Sequence, residues 1–279
     1  MALPGRRSPL RWGELALDGW SRAGIETWFR VHPPGLAFDV GRGSPRLSGV
    51  RDLFISHGHL DHALGVPFVL SQRSRYERAP TRVFCPRETV SPLFRLIESA
   101  QALEDREYDF ELRGLVPGDR VPVGRDLAVE AFATTHLVPS LGYHLWRTRR
   151  RLAARHRGKE PREIAELRRR GESVEEEAEE LWLSYVGDTD RSVFESEPRL
   201  FEARILMLEC TFLTEKLKDR AARFGHLHLE DIEELEARFR NEILVLFHLS
   251  RRHSREELEA VVARRLSGLV PRVHVVLDD

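Results

Sequence analysis

Short apolar runs separated by turn residues fill the first half of the chain. Residues 25–31 and 36–40 flank Pro33-Pro34-Gly35, a spacing that predicts a β-hairpin. The run 50–56 reads as a buried strand, and 60–74 continues with helical spacing. A strand over 81–85 ends at Pro86, and 88–100 is an amphipathic helix. Strands follow over 110–116, 127–134 and 141–147, with Pro117-Gly118-Asp119 as a turn. The pattern resumes after a polar interruption with strands over 181–186 and 204–208 and a helix over 229–240. An apolar strand spans 243–249. Ser254 and Glu257 have capping-box spacing for a helix over 255–266, and 271–277 closes as a strand. Strands in both halves, each set followed by helices, predict an α/β protein of two similar halves packed sheet to sheet. No repeat occurs at solenoid periods.

The interruption is strongly charged. Residues 147–170 hold eleven Arg or Lys against three Glu, and 172–180 reverses the sign. With little to bury, it is expected to be a helical arm inserted at about 147–181 in a single domain spanning 1–279. Arg147, Arg149, Arg150, Arg151, Arg155, Arg157 and Lys159 are its candidate phosphate contacts, and binding through them depends on salt. The competing reading is a solvated helix balanced by the later glutamates. With a net charge of −1 the chain is not basic overall. Only Lys159, Lys216 and Lys218 are lysines; an arginine bias suits bidentate phosphate contacts but also arises from G+C-rich coding.

No apolar run approaches the roughly 18–20 residues of a membrane span. The basic start of the chain lacks a following apolar segment, so no signal peptide is expected. Cys85 and Cys210 are the only cysteines. Two distant thiols make no disulfide framework; they are expected in the core, and the setting in the cytoplasm.

The candidate chemistry is concentrated in His57-Gly58-His59-Leu60-Asp61-His62, directly after the strand 50–56. Imidazole and carboxylate are zinc ligands. His57 and His59 leave an extended segment and point the same way, whereas Asp61 and His62 lie where the next helix starts. One pair can hold one metal while the other faces a second. His136, Asp188 and His248 each follow a predicted strand. Singly each is weak, since such residues are mostly surface or turn groups. Together they complete a two-metal site.

This set resembles the metallo-β-lactamase superfamily, whose signature is His-X-His-X-Asp-His. Thr135-His136, Gly187-Asp188-Thr189, Leu208-Glu209-Cys210-Thr211-Phe212, Gly225-His226 and His248-Leu249-Ser250 follow in the order seen in the tRNase Z family. The resemblance runs from about Thr27 onward and implies an αββα sandwich of two mixed β-sheets flanked by helices, with a protruding basic arm. It implies a zinc-dependent endoribonuclease that removes the 3′ trailer from tRNA precursors and leaves a 3′ hydroxyl. His57, His59 and His136 would hold one Zn²⁺, and Asp61, His62 and His248 a second, with Asp188 bridging; Mn²⁺ or another divalent metal is an alternative. On this resemblance the metals would supply a hydroxide nucleophile at neutral pH, since zinc lowers the pKa of bound water from about 15.7 to about 7. It further implies that Asp61 would orient that water and that His226, oriented by Glu209, would protonate the leaving 3′ oxygen.

The resemblance further implies a homodimer, one subunit's arm holding a tRNA that enters the other's site. The arm is similar to the short one of compact bacterial members. The chain departs from the family at His228, where a hydroxyl residue is usual and a helix-capping role is favoured. It departs also near Arg42, where the family usually has Glu. Arg251-Arg252-His253 either meets phosphate or ribose or is solvated. His32, His144, His156 and His274 are read as non-functional. Two rival functions remain: another hydrolase of this fold (small-molecule phosphodiesterase, arylsulfatase or thioesterase), and a non-catalytic tRNA-binding or structural zinc protein.

Overall fold

The computed structural model describes residues 10–76, 79–269 and 272–276. The first sheet is laid down in chain order: β1 (Leu10–Trp12), β2 (Leu15–Arg22), β3 (Glu26–His32), β4 (Leu36–Val40), β5 (Asp52–Phe54), β6 (Thr81–Pro86) and β7 (Phe110–Leu115). β1 to β4 pair antiparallel, and β4 to β7 pair parallel. Parallel neighbours need crossovers. These are α1 (Leu60–Ala63) with α2 (Val66–Tyr76), and then α3 (Val90–Glu104).

The second sheet repeats the plan. β8 (Arg120–Pro122), β9 (Leu127–Ala133), β10 (Leu141–Leu152) and β11 (Glu175–Tyr185) are antiparallel. β12 (Ile205–Glu209), β13 (Ile243–Phe247) and β14 (Val273–Val275) then add in parallel. α4 (Pro161–Arg169) lies between β10 and β11. α5 (Val193–Ser196), α6 (Lys218–Phe224), α7 (Leu229–Glu233) and α8 (Arg255–Arg265) serve the later crossovers. The two similar halves expected from the pattern are present, with seven strands in each sheet. The ends of the 271–277 strand, and the first nine residues on which the signal-peptide reading rests, lie outside the described residues.

Three apolar layers hold the sandwich. Between the sheets, Phe29, Phe38, Phe54, Tyr143, Tyr185 and Phe247 are fully buried, with Phe38 stacked on Tyr185 at 5.0 Å between ring centroids. Outside the first sheet, Leu53, Ile55 and Val83 meet Val69 and Leu70 of α2 and Leu93 and Ile97 of α3. Outside the second, Leu206, Leu208 and Leu246 meet Ile232, Leu258 and Val262. Cys85 and Cys210 are buried free thiols in these outer layers, as expected.

The fold departs from the pattern in several places, including the unexpected β8, α5 and α6. β1 and β2 precede the first expected strand. Gly19 in β2 weakens its strand signal, yet no side chain fits there: a Cβ would lie 2.2 Å from the Phe29 ring. The helix over 60–74 breaks into α1 and α2. Gly65 at the break packs on the 41–43 loop, donating to the Gly41 carbonyl at 2.7 Å, while Gly41 donates to that of His62 at 3.0 Å. A Cβ on Gly65 would sit 2.0 Å from the Gly43 nitrogen. Gly65→Ala is therefore expected to destabilise by about 1–3 kcal/mol, lowering Tm by several degrees in a thermal melt. An unchanged Tm would count against this packing.

The helix over 229–240 shortens to α7 and a 3₁₀ turn at Glu236–Arg238. The tighter turn carries Phe239 onto Phe194 and Phe201, at 5.9 and 5.1 Å between centroids. Lastly, the expected helical arm is mostly a hairpin. β10 and β11 pair from Tyr143 with Tyr185 to Leu152 with Glu175, and near the tip α4 and a 3₁₀ turn at Ala154–His156 are helical. Pairing sets arginines against glutamates across the ladder, which favours strands over two separately charged helices.

Candidate metal centre

The site forms where β5, β11, β12 and β13 end and the chain turns. β5 delivers Ser56 and His57 to one edge of the sandwich. α1 turns immediately after His59, so Asp61 and His62 come back over the same point. His136 arrives on the β9–β10 connection, Asp188 after β11, and His248 after β13. Ligand atoms of His57, His59, His136 and Asp188 lie within 4.8 Å of one another. So do those of Asp61, His62 and His248, and those of Asp188, His226 and His248. Asp188 stands between the first two groups: its oxygens lie 3.7 Å from His57 Nε2, 3.5 Å from His62 Nε2 and 3.5 Å from His248 Nδ1. All seven ligand candidates of the sequence are thus brought together.

A cation fits this cluster. His57 Nε2 and Asp188 Oδ1 are buried and have no hydrogen-bond partner, an arrangement that costs free energy unless something charged meets them. The nitrogens of His59 and His136 face each other at 3.2 Å, and Nε2 of His62 and His248 at 3.4 Å. The other ring nitrogen of His57, His62, His136 and His248 is tied down. Ser56 Oγ meets His57 Nδ1 at 3.0 Å, and Asp39 accepts from His62 Nδ1 at 2.7 Å. The Gly225 carbonyl accepts from His136 Nδ1 at 2.8 Å, and Thr211 Oγ1 meets His248 Nδ1 at 2.9 Å. Such partners fix which nitrogen is presented to a metal.

The electrostatics separate His62 from the imidazoles of His57, His59 and His136. Burial lowers the His62 pKa, but the Asp188 and Asp39 charges and the Asp39 hydrogen bond outweigh it and bring it to about 9, so a cation bound there displaces a proton. Burial and the neighbouring imidazoles push His57 well below its ordinary pKa, and burial first also lowers His59 and His136. Neutral imidazole is the ligand form. Burial raises Asp61, but the His248 hydrogen bond and the charges of His62 and His248 outweigh it, leaving its carboxyl at about 2. The Gly24 N–H donates to the same carboxylate at 2.9 Å.

Asp39 is the contributor the sequence does not reveal. It is fully buried with φ 53°, a left-handed backbone costing about 1–3 kcal/mol. Besides His62 it accepts from Ser56 N at 2.7 Å, Ser56 Oγ at 2.8 Å and Tyr185 Oη at 2.5 Å. Ser21, likewise unmarked, accepts from His248 N at 2.9 Å and so holds a second left-handed residue, φ 58°. Asp39→Ala is expected to weaken divalent-metal binding by about 10–100-fold, read by competition with a chromogenic chelator. Affinity equal to the parent's would remove Asp39 from this role.

Beside the cluster, His226 Nδ1 donates to Glu209 Oε1 at 2.8 Å. Glu209 is fully buried and also accepts from Thr189 N, Thr211 N, Thr211 Oγ1 and Leu227 N. Burial lowers the His226 pKa, but the Glu209 charge and hydrogen bond outweigh it and bring it to about 9. His228 instead caps α7: its Nδ1 accepts from Glu230 N at 3.2 Å, and its own N–H donates to Asp231. Glu26 supplies a carboxylate near Arg42, accepting from its N–H at 3.1 Å. His253 is partly exposed, 3.7 Å from Glu257.

The seven arm residues stay outside this cluster, and the stem's charges are largely paired. Arg149 meets Glu180 at 3.3 Å, Arg150 meets Glu177 at 3.9 Å and Arg151 meets Glu176 at 3.1 Å. Arg147 lies over the Trp182 ring and pairs with Glu14 at 2.6 Å. Arg155 donates to the Ser173 carbonyl. Arg157 and Lys159, near the tip, have no ion pair among the described residues. Eleven cations face nine glutamates over 147–181, so the hairpin is nearly balanced in charge.

Fold and cluster together define a metallo-β-lactamase-fold hydrolase. Residues 34–249 match the β-lactamase superfamily domain. The tRNase Z TRZ1 of Arabidopsis thaliana is 32% identical over 92% of this chain and 93% of its own length. The chloroplastic tRNase Z TRZ2 of the same plant is 29% identical over 92% of this chain and 74% of its own. The crystal structure of human tRNase Z, short form, matches the fold with a TM-score of 0.60 at 19% identity, covering 85% of this chain and 93% of that one. The chain belongs to the tRNase Z family, and with it is a metal-dependent hydrolase acting as an endoribonuclease.

Proposed function

We propose that this chain cuts the 3′ trailer from tRNA precursors, leaving a 3′ hydroxyl on the tRNA. The observation that supports this reading is the Glu209–His226 pair set against the Asp188 carboxylate, with Glu209 Oε1 at 2.8 Å and Asp188 Oδ2 at 3.9 Å from His226 Nδ1 and with His226 read as the proton donor. His57, His59 and His136 would hold one divalent ion and Asp61, His62 and His248 a second, with Asp188 shared. Zn²⁺, or Mn²⁺ in its place, would supply Lewis-acid polarisation of the phosphate and a nucleophile at neutral pH. Asp61, held ionised, accepts a hydrogen bond from the attacking water and so orients it. His226 gives its proton to the departing 3′ oxygen, which leaves poorly as an alkoxide, and Glu209 stabilises the imidazolium.

We assign the β10–β11 hairpin as the tRNA-binding arm of a single domain. Because its stem is charge-paired, Arg157 and Lys159 are its leading phosphate contacts. A second copy of the chain would cover Leu60, Leu64 and Phe68, which are 64%, 40% and 42% exposed around the site's own helices. Free buried thiols suit a reducing cytoplasm. No helix among the described residues is long and apolar enough to cross a membrane.

The test is incubation with a 3′-extended tRNA, with and without chelator. Chelator-sensitive release of the trailer is expected. Turnover of a small phosphodiester with no cut in the tRNA would instead favour the other hydrolases of this fold.

A further inference from the structure

Next to His226 lies a cavity of about 170 Å³ with two unlike walls. One wall is His59, His136 and His226; the other is Leu137, Phe212, Arg220 and Phe224. Phe224 is 37% exposed and Leu137 61% exposed, so the cavity is apolar where it opens to solvent. A larger cavity of about 440 Å³ adjoins it, lined by Lys216, Leu217, Asp219, Arg220, Arg223 and Phe224. Phe224 and Arg220 line both. The guanidiniums of Arg220 and Arg223 lie 5.1 and 5.8 Å from the Phe224 ring centroid. An aromatic face between a catalytic pocket and a cationic groove matches single-stranded nucleic acid: base on ring, phosphate on guanidinium.

The position of Phe224 is fixed by the site. It ends α6, and Gly225 follows in a left-handed cap, φ 64°, that bonds back to Ala221 and Ala222. The Gly225 carbonyl holds His136, and the next residue is the proton donor. Phe224, His136 and His226 are therefore one rigid unit. The cavity also lies on the His226 side of the cluster: none of Asp61, His62 and His248 lines it.

We propose that Phe224 stacks on the base of the last nucleotide retained on the tRNA, with Arg220 and Arg223 meeting the phosphates on its 5′ side. This rests on the functional reading above, because the nucleoside beside a proton donor to the 3′ oxygen is the one that carries that oxygen. The trailer keeps the phosphorus as its 5′ phosphate and does not carry that oxygen. Phe224 is thus a substrate-positioning residue for the acceptor end.

The test is a cycle of Phe224→Ala against abasic substitutions in a 3′-extended tRNA, with Tm and bound metal measured for each protein. On the intact substrate Phe224→Ala is expected to raise KM by about 5–100-fold, with a smaller change in kcat, and Phe224→Trp to restore it. On a substrate abasic at the last retained nucleotide, parent and Phe224→Ala should behave alike. A penalty that persists in full on that substrate overturns the proposal, and so does coupling to an abasic first trailer nucleotide instead. A parent protein that binds metal but cuts no 3′-extended tRNA overturns the functional reading, and this inference with it.

Discussion

Asp188→Asn is expected to lower trailer cleavage by about 10³-fold or more and to reduce the bound metal. The substitution keeps the shape of the side chain and removes its charge. In the parent, this one carboxylate lies 3.7 Å from His57 Nε2, 3.5 Å from His62 Nε2 and 3.9 Å from His136 Nε2. Among the described residues no other acidic group reaches both ligand groups, since Asp61 belongs to one of them alone. Two divalent cations held in this largely buried cluster, as proposed, would need this anion between them, or their repulsion would go uncompensated. Transition-state stabilisation of several kcal/mol by metals translates to about 10³-fold or more at roughly 1.4 kcal/mol per tenfold. Chelation of the parent protein should reproduce the loss, and readdition of Zn²⁺ should reverse it for the parent only. Elemental analysis together with single-turnover cleavage checks both halves. A variant with full metal content and a rate within tenfold of the parent's would exclude Asp188 as the shared ligand.

How much of this centre is legible in the sequence depends on how far each residue sits from its partners along the chain. His57, His59, Asp61 and His62 announce themselves because four ligands fall within six positions. His136, Asp188 and His248 are legible only jointly, as polar residues where apolar strands stop. Glu209 and His226 are 17 residues apart, and nothing local ties an acid in a strand to a histidine beyond the next helix. Family resemblance supplied that pair. Asp39 looks like an ordinary strand residue in Phe38-Asp39-Val40; its burial and left-handed backbone exist only once β4, β5 and β11 have met. Ser21 and the Gly24 N–H are equally anonymous, and both belong to the hairpin that Gly19 obscures. The arm teaches the same lesson from the other side. Its charge blocks are plain, but whether they repel as two surfaces or zip together depends on the β10–β11 register. That register sets Arg147 against Glu180 and Arg151 against Glu176.

The second large effect concerns the proton. His226→Ala is expected to lower kcat by about 10²–10⁴-fold, the range for a positioned general acid. Metal content should stay unchanged if the metals sit in the two groups that exclude His226. Glu209→Gln should act through the same imidazole, so the double variant should be scarcely slower than His226→Ala alone. The pH profile separates this from a packing defect. His226 donates in its protonated form, so activity is full below its pKa and falls as pH rises through it. Glu209 is what holds that pKa up, to about 9 against the pull of burial. Removing its charge must move the falling limb to lower pH. Bound cations would depress His226 in parent and variant alike, which leaves the direction of the difference intact. A limb that stays put in Glu209→Gln would show that another group gives the proton. The leaving atom gives an independent check. Sulfur in place of the bridging 3′ oxygen leaves as a thiolate, whose conjugate acid has a pKa of about 8.5 by analogy with cysteine. It needs no proton in the transition state. The sulfur substrate should therefore be cut at similar rates by the parent and by His226→Ala. A deficit as large as that on the oxygen substrate would mean His226 serves positioning rather than proton transfer.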